Sequence, residues 1–264
     1  MTQDPSAPIL LFDSGVGGLT VLDALRRELP DAPVIYAADN AGLPYGTKSE
    51  AQIAARVSGL LGRMTERLRP RLVCIACNTA STIALASVRE VLEVPIVGTV
   101  PAIKPAAAMT KTGVIGLLGT QATIRQSYVD RLEHEFAQGK RLIRHGAPEL
   151  VEAAEARLRG QPVDPRLIQR AVDGLRMQPD GDRIDTVVLA CTHFPLLTQE
   201  LGDLLGSVQF IDGAAGIARR VAYLTAGQGF SRSKPDMALF TSAEDIAALA
   251  PALAQRGLCE TAIF

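Results

Sequence analysis

Several features that mark specialised classes of protein are absent or scarce in this sequence. The 264 residues carry a net charge of only −1, without the excess of lysine and arginine typical of nucleic-acid-binding proteins. No apolar run reaches the roughly 18 residues needed to cross a bilayer. The first residues, MTQDPSAP, have neither a basic start nor a hydrophobic core, so they do not resemble a secretory signal. We therefore expect a cytoplasmic globular protein that binds neither nucleic acid nor a membrane.

Cysteine and histidine are also scarce, with four and three residues respectively. Four thiols are too few to staple a chain of this length, so we expect them to be reduced and available for chemistry. Cys74 and Cys77 form a C-x-x-C motif, but residues three apart on a strand point to opposite faces, so we expect Cys74 to face the core. The sequence has no second such motif and no histidine at ligand spacing, so we expect no metal site.

What the sequence does contain is a regular alternation of short apolar runs and amphipathic segments. Stretches such as LTVLDALRREL and STIALASVREVLE separate the runs, a pattern typical of βαβ units with a mostly parallel sheet. The predicted fold class is therefore α/β. The predicted strands are residues 9–12, 34–38, 71–76, 94–98, 113–118, 141–145, 186–190 and 208–211.

The predicted strands also form a weak internal repeat with an offset of about 110 residues. The corresponding segments are 10–22 and 114–126, 33–40 and 140–147, and 73–81 and 187–195. The repeat predicts two similar Rossmann-like α/β domains related by pseudo-twofold symmetry, with the active site in the cleft between them. We expect residues 1–98 and 210–264 to form the first domain and residues 99–209 to form the second.

Two of the corresponding segments end in cysteine followed by polar residues. VCIACNTA places Cys77 after one apolar run, and VVLACTHFP places Cys191 after another. Ligands of open parallel sheets bind beyond the carboxyl ends of the strands, where a helix N-terminus lowers the pKa of a nearby thiol. We expect Asn78 or Thr79 to cap the helix after Cys77, and Thr192 to cap the helix after Cys191. The paired placement predicts two reactive thiols rather than two buried hydrophobes.

Further polar groups lie in loops that follow the predicted strands. DSGVGGLT resembles a dinucleotide-binding loop, with Asp39 at the distance of a ribose-binding acid, but its third glycine is missing and Asp13 would repel pyrophosphate. We expect Asp13 instead to bind an ammonium group or to exchange a proton with a thiol. His193 is placed to relay a proton to Cys191 or to the substrate. The LPYG turn at 43–46 offers backbone N–H groups to a carboxylate.

Two acid–base groups on opposite walls of a cleft permit the inversion of a stereocentre. One group removes a proton from a carbon while the other returns a proton to the opposite face, whereas a single thiol serves acyl transfer equally well. Because an amino-acid Cα–H is a weak acid, the site must also stabilise the carbanion-like transition state with oriented N–H donors. The residues thus point to the racemisation of an amino acid.

Five separated motifs together resemble the bacterial glutamate racemases of the aspartate/glutamate racemase superfamily: FDSGVGGLTVL, LPYG, ACNTAS, GTQATIRQSYV and ACTHFPLL. The resemblance implies a cofactor-independent enzyme that interconverts L- and D-glutamate and supplies D-glutamate for peptidoglycan synthesis. It implies that Cys77 serves D-glutamate and Cys191 serves L-glutamate, each as the base for one enantiomer and the acid for the other. Homodimers are common among the relatives, so we expect a homodimer here.

The resemblance also implies supporting roles for residues near the two thiols. Asp13 is implied to assist Cys77, and His193 is implied to assist Cys191. One segment, APELVEAAE, departs from the family pattern, so the resemblance assigns no role to Glu155 at its end. The residues implied to line the substrate pocket are Asp13, Ser14, Tyr45, Gly46, Asn78, Thr79, Thr192 and His193, with Thr120 and Thr123 as further contacts.

Three other functions remain open at the level of the sequence. A racemase for aspartate or another amino acid would use the same pair of thiols, and assays on single enantiomers would separate these cases. A one-thiol decarboxylase or isomerase is disfavoured because both Cys77 and Cys191 are present. A non-catalytic dinucleotide-binding module is supported only by the loop at 13–20, and it would bind a nicotinamide nucleotide.

Overall fold

A computed structural model describes residues 4–264 of the chain, which form two compact units. The first unit runs up to Thr99 and resumes from Ala214 to Phe264, and the second spans Val100–Gly213. The first three residues of the N-terminal segment considered above lie outside the described residues. From residue 4 to residue 264, no helix is long and apolar enough to cross a membrane.

Strands and helices alternate along most of the chain. The strands are β1 (Ile9–Asp13), β2 (Val34–Ala38), β3 (Leu72–Ile75), β4 (Ile96–Gly98), β5 (Val114–Gly119), β6 (Arg141–Gly146), β7 (Thr186–Ala190), β8 (Gln209–Ile211), β9 (Asp236–Phe240) and β10 (Leu258–Ile263). The α-helices are α1 (Leu19–Glu28), α2 (Glu50–Leu68), α3 (Asn78–Val91), α4 (Ile103–Met109), α5 (Gln121–Ile124), α6 (Ser127–Phe136), α7 (Glu149–Leu158), α8 (Pro165–Arg176), α9 (Thr198–Leu205), α10 (Ala214–Leu224) and α11 (Ile246–Ala254). Short 3-10 helices lie at Asn40–Gly42, Tyr45–Thr47, Gly181–Arg183 and Phe194–Leu197.

Each unit contains one parallel sheet. The sheet of the first unit has six strands in the order β10-β9-β2-β1-β3-β4, and that of the second has four in the order β6-β5-β7-β8. Across residues 4–264, all the strand pairings are parallel. The α/β class with two parallel-sheet domains is therefore confirmed.

The two sheets share a four-strand order. In the first unit β2, β1, β3 and β4 are neighbours in that order, and in the second unit β6, β5, β7 and β8 follow the same order. The pairs of segments in the sequence repeat correspond to β1 and β5, β2 and β6, and β3 and β7. The strand that precedes Cys77 is thus the counterpart of the strand that precedes Cys191.

All eight predicted strands are present, but β9 and β10 are strands that the sequence pattern did not predict. β9 begins at Asp236, whose buried carboxylate accepts a hydrogen bond from the Val34 N–H at 2.7 Å and pairs with Arg26. β10 lies at the edge of the sheet and is largely exposed, so its sequence, LCETAI, has no continuous apolar run. A polar strand start and an exposed edge both weaken the hydrophobic signal on which the prediction depended.

Local signals in the sequence fix the longest helix, α2, which covers the sheet of the first unit. Ser49 Oγ accepts the Gln52 N–H at 3.3 Å, while Gln52 Oε1 accepts the Ser49 N–H at 3.0 Å, a reciprocal capping box. Apolar residues recur at helical spacing and bury one face in the core with β1 and β3. The buried residues of this face are Ile53, Val57, Leu60, Leu61 and Met64.

Candidate active site

Cys77 lies at the start of α3, two residues beyond the end of β3. It is the N-cap residue of the helix, and its Sγ accepts the Ala80 N–H at 3.4 Å. The expectation that Asn78 or Thr79 would cap this helix is therefore wrong, since both residues lie inside its first turn. The sulfur itself occupies the position where the N–H groups of the helix start converge.

Ser14 and Asp13 lie beside Cys77, as the sequence predicts for loops that follow neighbouring strands. Ser14 Oγ is 3.4 Å from Cys77 Sγ and 3.5 Å from Asp13 Oδ1, and β1 pairs directly with β3. Asp13 Oδ1 also accepts the Gly15 N–H at 2.9 Å. The hydroxyl of Ser14 therefore connects the Asp13 carboxylate with the Cys77 thiol.

Gly18, the last glycine of the first loop, lies directly against Asp13. A Cβ on Gly18 would lie 2.9 Å from Asp13 Oδ2 and 3.0 Å from the Tyr36 hydroxyl, so only glycine fits against the carboxylate. Asp39, the residue at ribose-binding distance, is buried and bonds to Tyr45 and other protein groups. Both carboxylates are thus already engaged by groups of the protein itself.

The remaining predicted site residues of the first unit lie on elements next to the same thiol. Tyr45 and Gly46 lie in the 3-10 helix Tyr45–Thr47, which contacts α3, and Tyr45 belongs to the same core cluster as Cys77. Asn78 and Thr79 are buried in the first turn of α3. The structure thus brings together the predicted residues of the first unit: Asp13, Ser14, Tyr45, Gly46, Cys77, Asn78 and Thr79.

Cys191 occupies the corresponding position in the second unit, one residue beyond the end of β7. The segment after it forms the 3-10 helix Phe194–Leu197, with Pro195 in its first turn. Its N-cap residue is His193, without a side-chain cap, so the expectation that Thr192 caps this helix is wrong. Thr192 is buried next to the thiol in sequence.

His193 connects Cys191 with the carboxylate of Glu155, for which the sequence predicts no role. Its Nδ1 is 3.8 Å from Cys191 Sγ, and its Nε2 is 2.7 Å from Glu155 Oε1. Glu155 lies on α7 and also pairs with Arg159, one turn further along that helix. The second unit therefore contains a continuous chain of contacts from Cys191 through His193 and Glu155 to Arg159.

Contacts between His193 and Glu155 shift both of their pKa values. Burial alone lowers the pKa of His193, but hydrogen bonds to Cys191 and Glu155, together with their negative charges, outweigh burial and raise it well above its ordinary value of 6.5. Burial alone raises the pKa of Glu155, but the hydrogen bond and charge of His193 and the charge of Arg159 outweigh burial and lower it below 4.5. A protonated His193 can deliver a proton to the Cys191 sulfur through Nδ1.

We expect Glu155→Gln to destabilise the protein by about 2 kcal/mol, because a charged hydrogen bond to buried His193 is lost. The raised pKa of His193 gives stability that is full below pH 6.5 and is lost as the pH rises through the folded value. The lowered pKa of Glu155 gives stability that is full above pH 4.5 and is lost as the pH falls through the folded value. Urea unfolding of wild type and variant should therefore differ most between pH 4.5 and 6.5.

Glu152→Gln is the matched control for this prediction. Glu152 lies on the same helix but is exposed, so its substitution removes the same charge without a buried partner. We expect its effect to stay within about 0.5 kcal/mol, with no maximum between pH 4.5 and 6.5. A pH profile for Glu155→Gln that parallels the control would contradict the ion pair.

Thr120 is the N-cap residue of α5, directly after β5, and Thr123 lies within that helix. Thr120 Oγ1 accepts the Thr123 N–H at 3.1 Å, and the two hydroxyls lie 3.0 Å apart. β5 pairs with β7, so these hydroxyls follow a strand adjacent to the one that ends before Cys191. Both threonines therefore lie at the carboxyl edge of this sheet, and their contact with a substrate stays a prediction.

The other two cysteines differ from Cys77 and Cys191 in their surroundings. Cys74 is fully buried within β3, as expected, and burial raises the pKa of its thiol to about 12. Cys259 is exposed in β10, and all four cysteines are free. Within residues 4–264, no three histidine, cysteine or acidic side chains are grouped in a way that would hold a metal ion.

Comparison with known proteins identifies racemases as relatives of this chain. The family model for Asp/Glu/hydantoin racemases matches residues 19–221. The glutamate racemase of Sphingopyxis alaskensis is 63% identical over 94% of this chain and 95% of that relative. The glutamate racemase of Escherichia coli K12 is 46% identical over 84% of this chain and 78% of that relative.

A solved structure agrees over almost the full length. The crystal structure of Escherichia coli glutamate racemase in complex with L-glutamate and the activator UDP-MurNAc-Ala has a TM-score of 0.91 and 40% sequence identity, and the match covers 98% of each chain. The match of the family model, the identity to these relatives and the arrangement of both sheets lead to one conclusion: this chain belongs to the Asp/Glu/hydantoin racemase family.

Proposed function

We propose that this protein is a glutamate racemase that uses two thiols, without a cofactor, to remove the α-proton of glutamate from one face and to return a proton to the other face. Cys77 and Cys191 flank the Cα atom of the bound amino acid in this proposal. A thiolate on one side takes the Cα proton, and the thiol on the other side gives its own proton to the opposite face. The step balances, because the cysteine that takes the Cα proton changes from thiolate to thiol while the cysteine that gives a proton changes from thiol to thiolate.

Each thiol has its own proton-transfer partners in the proposal. Cys77 is the base for D-glutamate and is assisted by Asp13. Ser14 Oγ connects the two, at 3.4 Å from the Cys77 sulfur and 3.5 Å from Asp13 Oδ1. Cys191 is the base for L-glutamate and is assisted by His193, whose Nδ1 lies 3.8 Å from the sulfur. In the reverse reaction the roles are exchanged, so the cysteine that acted as the base acts as the acid.

The substrate itself is held by polar groups at the two strand ends. Because the Cα–H of an amino acid is a weak acid, catalysis depends on donors that stabilise negative charge as it develops on the substrate carboxylate. Helix starts and the turn at Tyr45–Thr47 offer such donors. The residues proposed to bind glutamate are Asp13, Ser14, Tyr45, Gly46, Asn78, Thr79, Thr192 and His193.

One observation carries the proposal above all others: counterpart strands of the two units each lead into a buried thiol with a polar partner. Cys77 follows β3 and Cys191 follows β7, and both sulfurs contact a proton-carrying side chain. A single-thiol enzyme has no need for the second of these arrangements. Glutamate as the substrate is supported by the names of the relatives that are 63% and 46% identical to this chain over the aligned residues.

Circular dichroism provides a direct test with the purified protein and no added cofactor. We expect the signal of L-glutamate to decay to zero, and that of D-glutamate to decay to zero from the opposite sign. In D2O the product should carry deuterium at Cα, because the proton returned comes from a thiol that exchanges with solvent. Stable signals for glutamate alongside decay for aspartate would overturn the choice of substrate.

We also infer a homodimer in the cytoplasm that supplies D-glutamate for peptidoglycan synthesis. The dimer is an inference from the resemblance to related racemases, and light scattering of the purified protein tests it. Four free cysteines are compatible with a reducing compartment. A monomer at the concentration of the activity assay would contradict the dimer without affecting the proposed reaction.

A further inference from the structure

A buried carboxylate outside the proposed proton-transfer groups lies close to the first thiol. Asp39 follows β2 and is fully buried. Its carboxylate accepts hydrogen bonds from the Tyr45 hydroxyl at 2.6 Å, from Arg56 Nη2 at 2.6 Å and from the Thr241 hydroxyl at 2.7 Å. Arg56 Nε also donates to it, so the guanidinium is bidentate. This group of four residues is called the Asp39 cluster below.

The Asp39 cluster joins four separate parts of the first unit. Asp39 and Thr241 follow the paired strands β2 and β9, Arg56 lies on α2, and Tyr45 lies in the 3-10 helix before α2. The Asp39 N–H donates to the Asp13 carbonyl at 2.9 Å, so the cluster is adjacent to the strand end that carries Asp13. The cluster therefore lies at the same carboxyl edge of the sheet as the Cys77 thiol.

The hydrogen bond between Tyr45 and Asp39 has a fixed direction. Burial, followed by the negative charge of Asp39 and the hydrogen bond to it, raises the pKa of Tyr45 far above its ordinary value of 10, so the phenol remains protonated and donates. The hydroxyl hydrogen of Tyr45 therefore bonds to Asp39 and is not available to a substrate. Cys77 also contributes to this raised pKa, which agrees with the place of both side chains in one core cluster.

The cluster closes around Gly42, where no side chain fits. A Cβ at this position would lie 2.4 Å from Asp39 Oδ2, 2.6 Å from Arg56 Nε and 2.8 Å from Tyr45 Cε1. These separations are far below van der Waals contact, and they involve the three groups that make the central hydrogen bonds. The requirement for glycine at position 42 therefore follows from the compactness of the cluster.

We propose that Asp39 and Arg56 are positioning residues, whose ion pair holds the Tyr45 hydroxyl and so orients the turn at Tyr45–Thr47 for binding of the glutamate carboxylate. This role rests on the proposed function, because it concerns the same substrate and the same turn. Neither residue touches the reacting atoms. Arg56 neutralises the buried carboxylate, Asp39 fixes the phenol, and the phenol fixes the backbone that carries the N–H donors.

The kinetic signature expected for Asp39→Asn and Arg56→Gln is a rise in KM with little change in kcat. A hydrogen bond to a charged group is worth enough to change KM by about tenfold or more for both enantiomers, while kcat should stay within about twofold. Arg63→Gln is the matched control, because Arg63 lies on the same helix but stacks on Phe264 instead of contacting Asp39. Its KM should equal that of the wild type.

A double-mutant cycle separates this positioning role from a general effect on folding. Tyr45→Phe should raise KM by a factor similar to that of Asp39→Asn, and the double variant should be no worse than Tyr45→Phe alone. If Asp39→Asn does not fold, the same cycle with Arg56→Gln decides, because the Arg56 side chain is 36% exposed and its loss is better tolerated. Additive effects in folded variants would overturn the role of the phenol as the link.

A pair of glycine substitutions tests the same cluster without removing any polar group. Gly42→Ala should raise KM at least as much as Asp39→Asn, whereas Gly59→Ala, whose Cβ would meet no atom within 4 Å, should leave KM unchanged. Active wild type with unaltered KM in Gly42→Ala and Asp39→Asn would overturn the positioning role alone. An inactive wild type on glutamate would overturn the proposed function and this role with it.

Discussion

Cys77→Ser and Cys191→Ser are each expected to lower the rate of racemisation by about a thousandfold or more. Proton transfer by a placed acid or base contributes roughly 10² to 10⁴ in rate, and a serine hydroxyl is a much weaker acid than a thiol. A thousandfold loss corresponds to about 4 kcal/mol of transition-state stabilisation. Either substitution removes one of the two proton carriers, so racemisation fails in both directions, as measured by circular dichroism of glutamate.

Exchange of the Cα proton in D2O distinguishes the two variants from each other. Cys77→Ser retains Cys191, so L-glutamate should still exchange its Cα proton without inversion, and Cys191→Ser should do the same for D-glutamate. Cys259→Ser is the control, since Cys259 is exposed in β10 and should leave turnover unchanged. Full racemisation by either active-site variant would contradict the two-thiol mechanism, and exchange of the other enantiomer would reverse the assigned roles.

Asp13→Asn and His193→Asn are each expected to lower kcat/KM by about a hundredfold, because each removes the partner that exchanges protons with one thiol. The two enantiomers have equal free energy, so kcat/KM must fall by the same factor in both directions. The difference between the variants lies in the isotope effect of a deuterium at Cα. Asp13→Asn should increase that effect for D-glutamate, and His193→Asn should increase it for L-glutamate.

Thr110→Val is a control for these two variants, because it removes a hydrogen bond that does not involve either proton-transfer partner. Thr110 Oγ1 donates to Asp185 at 2.6 Å, and Asp185 precedes β7 whereas Cys191 follows it, so the loss of this hydrogen bond should affect stability rather than isotope effects. Equal isotope effects for the two enantiomers in both Asp13→Asn and His193→Asn would contradict the separate assignment of one partner to each thiol. The measurement needs only Cα-deuterated glutamate of each configuration.

The fold could be predicted from the sequence wherever a strand is buried on both faces. β1 and β7 are entirely buried, so their residues form continuous apolar runs that stand out from the amphipathic helices. β9 and β10 were not predicted, because β9 begins at a buried aspartate and β10 is exposed at the edge of the sheet. Partial burial breaks the apolar run, and tertiary pairing rather than local pattern then defines the strand.

The candidate site was predictable where its residues follow strand ends, and less so where a contact comes from a distant helix. Asp13, Ser14 and Cys77 lie at adjacent strand ends of one sheet, and their proximity follows from the α/β topology alone. Glu155 reaches His193 from α7, 38 residues earlier in the chain, and only tertiary structure shows this contact. The acidic residue at the end of APELVEAAE was the one signal available.

The two capping errors have a common physical reason. Polar residues after Cys77 and Cys191 satisfy the compositional preference for an N-cap, but the N-cap lies one residue before Asn78 at α3 and one residue after Thr192 at the 3-10 helix Phe194–Leu197. At α3 the sulfur of Cys77 accepts the N–H that a hydroxyl would otherwise accept. At the second thiol the chain forms a 3-10 helix that begins after His193, which leaves Thr192 outside it.

The unequal burial of the four sulfurs has a practical consequence for chemical labelling. Cys74, Cys77 and Cys191 are buried, whereas Cys259 is exposed on an edge strand. Because alkylation requires an accessible thiolate, a maleimide dye meets Cys259 first. The protein thus carries a natural attachment point for a fluorophore, through which ligand-induced motion can be followed while the buried sulfurs remain unmodified.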